Sequence, residues 1–205
     1  MVKAVSDTHF IQHLGLKILK SSHPQVQKIK RKQNGHSAHG NKVWRSCYAL
    51  IDYLETYPVK AQSKVLEIGC GWGVAGMYLT KKQQATVTGI DIDASVKDYF
   101  NLQNHINNCS QDFQQRGFES LSKEELSNYQ YIIGSDICFW DELTEPLFQL
   151  ICDAKNVGVT NILIADPGRP PFWQLAELCA EQLNSEVIIR RILEPWKSEK
   201  YILVI

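Results

Sequence analysis

The sequence lacks any apolar run approaching the roughly 18–20 residues that span a bilayer, which argues against a membrane-embedded chain. Residues 1–20 hold no uninterrupted apolar stretch followed by a small-residue cleavage site, so no secretory signal is expected. Internal repeats and low-complexity tracts are absent too. No two of the six cysteines (47, 70, 109, 138, 152 and 179) are close enough for a Cys-x-x-Cys clip. They read as reduced thiols in a cytoplasmic protein. His36 and His39 with Cys47 offer two ligand types and no fourth partner, so no metal is expected. Net charge is missing as well, with 22 basic residues against 22 acidic ones.

What is present fits an ordinary globular domain. In 205 residues, 44% are apolar and 21% charged, enough chain to bury one core. The charge is unevenly placed. The first fifty residues carry Lys3, Lys17, Lys20, Lys28, Lys30, Arg31, Lys32, Lys42 and Arg45 against the single acid Asp7. A basic lead on an acidic body can steer an acidic partner, or simply form a solvated face.

Apolar spacing at Phe10, Ile11, Leu14 and Ile18 predicts a helical lead over 10–19, and the polar stretch 28–41 reads as a loop. We therefore divide the chain into a basic helical lead and loop over 1–40 and a main domain over 41–205. Within the latter, helices are expected at 44–57, 74–82, 94–107, 143–155 and 172–183. Strands are expected at 64–68, 86–90, 113–118, 129–135 and 161–165, then at 186–193 and 201–205. Strand–helix alternation implies a doubly wound α/β fold with a mainly parallel seven-stranded sheet. Residues 194–200 are too few for a crossover, so the chain must close in a C-terminal antiparallel hairpin.

The chemistry concentrates at Glu67-Ile68-Gly69-Cys70-Gly71-Trp72-Gly73. A buried strand ends at Ile68, and the glycines allow a sharp turn that a ligand can press against before a helix begins. The second strand ends at Asp91, 18 residues past Gly73, where a carboxylate can accept from two ribose hydroxyls. Gly71-Trp72-Gly73-Val74-Ala75-Gly76 also fits a dinucleotide fingerprint, which keeps an NAD enzyme as an alternative. Against it stand the earlier Gly69 and the terminal hairpin.

Taken together, the glycine run, the acidic end of the second strand and the hairpin resemble the class I, seven-β-strand, S-adenosylmethionine-dependent methyltransferases over about residues 40–205. The resemblance implies a Rossmann-like methyltransferase fold with S-adenosylmethionine across the carboxyl ends of the first strands. Gly69, Cys70, Gly71 and Gly73 would then line its methionine and ribose portion, Asp91 would hold the ribose, and Ile92 would flank adenine. Glu67 would order the turn, cap its N–H groups, or reach the amino-acid part through water. Gly117 and Phe118 are candidates for the adenine edge.

Ser135-Asp136-Ile137-Cys138-Phe139-Trp140 has no proline where amide and base methyltransferases carry a proline pair. Asp136-Ile137-Cys138-Phe139 instead resembles the Asp-x-x-Tyr/Phe motif of the lysine methyltransferase branch. Gly40-Asn41-Lys42-Val43-Trp44 resembles that branch's Gly-x-x-x-Trp segment, whose Trp packs beside the cofactor. Asp166-Pro167-Gly168-Arg169-Pro170 resembles the loop after the fifth strand in the group of electron transfer flavoprotein β-subunit lysine methyltransferases; nicotinamide N-methyltransferase-like proteins belong to the same branch. Phe139 departs from the common Tyr and removes a hydroxyl from the amine's surroundings.

The implied activity is in-line methyl transfer from S-adenosylmethionine to a lysine amine, with Asp136 and Phe139 catalytic and Asp136 also beside the cofactor. Trp140 offers either an aromatic face or core packing. Arg169 either binds a substrate carboxylate or pairs with Asp166 or Asp141, and Trp173 reads as core. A protein substrate is expected, with a small amine as alternative and neither nucleic acid nor membrane as partner. A non-catalytic S-adenosylmethionine-binding protein is the remaining rival.

Overall fold

A computed structural model describes residues 5–33 and 40–205. His36 and His39, two of the three residues of the imagined metal site, lie outside the described residues.

Seven strands form the main sheet: β4 (Lys64–Ile68), β5 (Thr86–Asp91), β6 (Asp112–Gln115), β7 (Tyr131–Ser135), β8 (Asn161–Asp166), β9 (Glu186–Ile192) and β10 (Ser198–Val204). Their order is β6-β5-β4-β7-β8-β10-β9. The first five are parallel, and β10 runs antiparallel between β8 and β9, with Tyr201 opposite Asp166. This is the doubly wound sheet with a closing hairpin that the sequence implies.

Alternation along the strands feeds two apolar layers. Val65, Val87, Ile133 and Leu163 face α2 (Ser46–Thr56) and α3 (Val74–Gln83). Leu66, Ile132, Ile162 and Ile164 face α6 (Thr144–Asn156) and α7 (Pro170–Gln182). Both faces of the central strands are buried, which explains their continuous apolar runs. The chain also forms α4 (Val96–Asn107) and the short α5 (Lys123–Leu126).

The lead departs from expectation. Residues 10–19 form no helix; β2 (Phe10–His13) and β3 (Leu16–Leu19) make a hairpin, with β1 (Val5–Ser6) paired to β2. Leu14 and Gly15 both take positive φ, 48° and 77°, the two-residue turn whose twist suits a hairpin. Ile11, His13, Leu16 and Ile18 are buried while Gln12 and Lys17 are exposed, so the period is two. The edge of β3 is satisfied by buried amides of α4. Gln103 bonds both backbone groups of Leu19, at 3.2 Å each, and Asn107 those of Lys17, at 2.8 and 2.9 Å. The expected loop is partly helical too, because α1 (Pro24–Lys32) runs through 28–32, started by Pro24 in its first turn.

From β4 the chain winds outward through β5 to β6, then jumps back to place β7 on the other side of β4. That reversal opens a crevice at the carboxyl ends of β4 and β7, where ligands bind in such sheets.

Candidate functional site

The glycine turn leaves β4 at this crevice. Gly69, Gly71 and Gly73 take positive φ of 59°, 51° and 70°, a region side chains rarely adopt. Their surroundings differ. A Cβ on Gly73 would lie 2.5 Å from the Phe100 ring, whereas one on Gly71 would meet nothing within 4 Å. Gly73 therefore lets the turn pack against α4, and Gly71 leaves its backbone open to a ligand. Behind the turn, buried Glu67 accepts the Gly76 N–H at 3.0 Å in the first turn of α3. Burial pushes its carboxyl up to about 8, against the pull of that bond.

Asp91, at the end of β5, joins the two loops. Its Oδ2 accepts the Gly71 N–H at 2.9 Å and its Oδ1 the Asp93 N–H at 2.9 Å. Burial raises its carboxyl, and these two bonds oppose the rise. Each oxygen keeps a further lone pair for a hydroxyl donor.

A cavity of about 370 Å³ opens over these residues. Gly69, Gly71 and Asp91 form its floor, Ile92, Gly117 and Phe118 one side, and Trp44, Asp136, Phe139 and Trp140 the other. Ile92 is 75% exposed, an apolar side chain held in the open at the cavity edge. Trp72 anchors Gly40, one of the lining residues: its indole N–H donates to the Gly40 carbonyl at 2.7 Å, and its ring stacks on Tyr99.

Asp136 follows β7 in a left-handed conformation, φ 56°, and is only 5% exposed. The Ser46 N–H at the start of α2 donates to its Oδ2 at 2.8 Å, and the Arg169 guanidinium donates to its Oδ1 at 3.2 Å. Arg169 also binds Asp166 at 2.6 Å and lies 4.3 Å over the Phe139 ring. Phe139 meets Trp44 edge-on, with centroids 5.0 Å apart. A cation therefore already rests between a carboxylate and an aromatic face, an arrangement that suits an ammonium group.

The structure thus brings Trp44, Gly69, Gly71, Asp91, Ile92, Gly117, Phe118, Asp136, Phe139 and Trp140 onto one cavity. Glu67, Cys70 and Gly73 do not line it. Glu67 and Cys70 border a smaller recess beneath the turn, and Gly73 packs behind it. Trp140, 55% exposed at the mouth, is not core packing, and neither is Trp173, which is 40% exposed against Tyr201. Of the two anchors offered to Arg169, Asp166 is the one used; its pairing with Asp136 and the Ser46 amide were not foreseen. The amide left no trace in side-chain pattern, since any residue supplies one. Among the described residues no group of three or more His, Cys, Asp or Glu is placed to hold a metal.

Arg169 and Asp136 also border a second cavity of about 530 Å³ on the far side of Trp44. Lys42, Trp44 and Asp136 are common to both cavities. The second is walled by the β2–β3 hairpin, the start of α2 and the turn before β10.

A family model described as lysine methyltransferase matches residues 23–169. The chain is 28% identical over 135 residues to the electron transfer flavoprotein beta subunit lysine methyltransferase of Danio rerio, covering 63% of this chain and 50% of that protein. It is 33% identical over 113 residues to protein N-lysine methyltransferase METTL21A of Xenopus tropicalis, covering 52% and 51%. The chain therefore spans about half the length of these relatives. Among solved structures, the human methyltransferase 10 domain containing protein superposes with a TM-score of 0.59 at 12% identity, covering 79% of this chain and 82% of that one. The ribosomal protein L11 methylase of Lactobacillus delbrueckii gives 0.58 at 13% identity, covering 78% of each. At such identities the structures show a shared fold alone.

Proposed function

The chain belongs to the lysine methyltransferase family, and from that premise we propose that it transfers a methyl group from S-adenosylmethionine to the side-chain amine of a lysine in a protein. The observation that carries the reading is Asp136, a buried carboxylate placed where the two cavities meet.

S-adenosylmethionine is the methyl donor of this family and fold. The first cavity fits it: Gly71 leaves an open cradle that a Cβ would fill, Asp91 presents lone pairs for ribose hydroxyls, and Ile92 and Phe118 offer apolar flanks for a base. When bound, the cofactor supplies an electrophilic methyl on a positively charged sulfur, already a good leaving group.

The protein's task is then to place and dry the amine. A lysine ammonium, with an ordinary pKa near 10.4, must lose a proton before its lone pair can attack. Asp136 favours the charged amine, so it serves recruitment and aim rather than deprotonation. Its carboxylate orients the amine while the Ser46 amide fixes the acceptor. Phe139 and Trp44 exclude water and give a cationic amine an aromatic face, a contact of roughly 0.5–2 kcal/mol. Arg169, on the same carboxylate, is also anchored by Asp166. All six cysteines are free, which supports a reducing, cytoplasmic setting. No helix among the described residues is long and apolar enough to cross a membrane.

The test is incubation with methyl-labelled S-adenosylmethionine and cell extract, then amino-acid analysis of the labelled protein. Methyl-lysine that depends on Asp136 is the expected product. Label on a small amine alone would favour the small-molecule alternative. Cofactor binding with no transfer to any acceptor would favour the non-catalytic one.

A further inference from the structure

We propose that the second cavity is the acceptor cleft and that it selects lysines set in acidic segments of the substrate protein. The proposal rests on the lysine methyltransferase reading and names its substrate class.

Five cations border the cleft, Lys20, Lys42, Arg45, Arg169 and Lys200, and its only carboxylate among the described residues is Asp136. Arg169 is already paired with Asp136 and Asp166. Lys42, Arg45 and Lys200 make no ion pair among the described residues. Lys42 lies 4.1 Å over the Trp44 ring, Arg45 lies 5.0 Å from the Trp196 ring, and Lys200 donates to the Glu199 carbonyl at 3.1 Å. Their charges are left for a partner.

A bare lysine entering this cleft would meet five cations, set among apolar and neutral residues, against the one carboxylate of Asp136. A lysine flanked by carboxylates would have its neighbours neutralised by the rim while its own amine travels on to the one acid at the floor. Complementary potentials of this kind steer encounter and reject partners of the wrong sign. The hairpin lines the cleft through Ile11 and Ile18, and Lys20 follows directly after it, which gives the basic lead a place in the site. Lys42, Trp44 and Asp136 line both cavities, so an amine held by Asp136 lies beside the donor's cavity.

The experiment measures binding, so it stands apart from catalysis. Three fluorescent peptides of equal length carry one central lysine flanked by glutamate, glutamine or arginine. Each is titrated by anisotropy against the full chain saturated with S-adenosylhomocysteine. The glutamate peptide is expected to bind about tenfold or more tighter than the glutamine peptide, with the advantage shrinking as salt rises. The double variant Arg45→Glu/Lys200→Glu is expected to erase that preference while keeping its affinity for S-adenosylhomocysteine. Lys60→Glu/Lys64→Glu carries the same charge change at the opposite end of β4 and is expected to keep the preference. Equal binding of the three peptides, or a preference that survives in Arg45→Glu/Lys200→Glu, would overturn the proposal. So would a single-stranded oligonucleotide of the same length that binds this cleft more tightly than the glutamate peptide. Each of these results leaves methyl-lysine formation in extract free to stand, so the two readings fail separately.

Discussion

The two cavities beside Trp44 are built from different materials. The first is made mostly by the sheet: strand ends, a glycine turn and the acids Asp91, Asp93, Glu119 and Asp136, with apolar edges at Ile92 and Phe118. The second is made by what surrounds the sheet, the hairpin lead, the start of α2 and the turn into β10, and its rim is cationic. A backbone cradle at a topological switch point serves any nucleoside-bearing ligand, so it can be shared across a fold. Side chains on peripheral elements can differ from one member to the next, so they decide the acceptor. Asp136 belongs to both, and it is where the comparison breaks most easily.

The largest effect is expected from Asp136→Asn, which keeps an acceptor for the Ser46 amide and tolerates the left-handed backbone. Turnover should fall at least about 100-fold, while calorimetry finds S-adenosylhomocysteine affinity little changed. A parallel collapse in affinity would make Asp136 a residue of the first cavity alone. The glycines sharpen the comparison within one turn. Gly73→Ala drives a methyl into the Phe100 ring and should cost about 2–4 kcal/mol in chemical denaturation. Gly71→Ala meets no such clash and should cost only about 1 kcal/mol, yet weaken S-adenosylhomocysteine by about tenfold because its methyl fills the cradle.

A pH-dependent effect concerns the support beneath the turn. With Glu67 raised to about 8 in the fold and near its ordinary 4.5 when unfolded, the native state holds a proton that the unfolded chain has released between those values. Stability therefore falls as pH rises from about 5 to 8, and the loss is complete above that window. Glu67→Gln still accepts the Gly76 N–H and carries no charge. It should flatten the profile, matching the parent near pH 5 and exceeding it by about 1–3 kcal/mol at pH 9. A parent profile that rises across this range would show that Glu67 is charged in the fold.

The sheet was legible because its signals are local. Continuous apolar strands, glycines before a helix and Asp91 at a strand end each follow from a few neighbouring residues, and β4 runs over the expected Lys64–Ile68. The lead was misread because Phe10, Ile11, Leu14 and Ile18 satisfy helical spacing by coincidence. What makes it a hairpin is the Leu14-Gly15 turn, together with the amides of Gln103 and Asn107, more than 80 residues away in sequence. The Asp-Pro-Gly-Arg-Pro loop and the pairing of Arg169 with Asp166 were legible, but not the contact of Arg169 with Asp136. Its reach to Asp136 depends on β7 and β8 lying side by side, a pairing that only the folded sheet supplies. Of the second cavity's cations, Lys20, Lys42 and Arg45 belong to the basic lead that the sequence shows, but the cavity itself has no local signature, since its cations come from four separate segments.

Calorimetry of S-adenosylhomocysteine with two variants tests the division of labour most directly. Asp91→Ala should weaken it by about tenfold or more, while Arg45→Glu/Lys200→Glu should leave it unchanged. Equal losses in both, or a loss confined to the second, would contradict a donor held by the sheet and an acceptor held by its periphery.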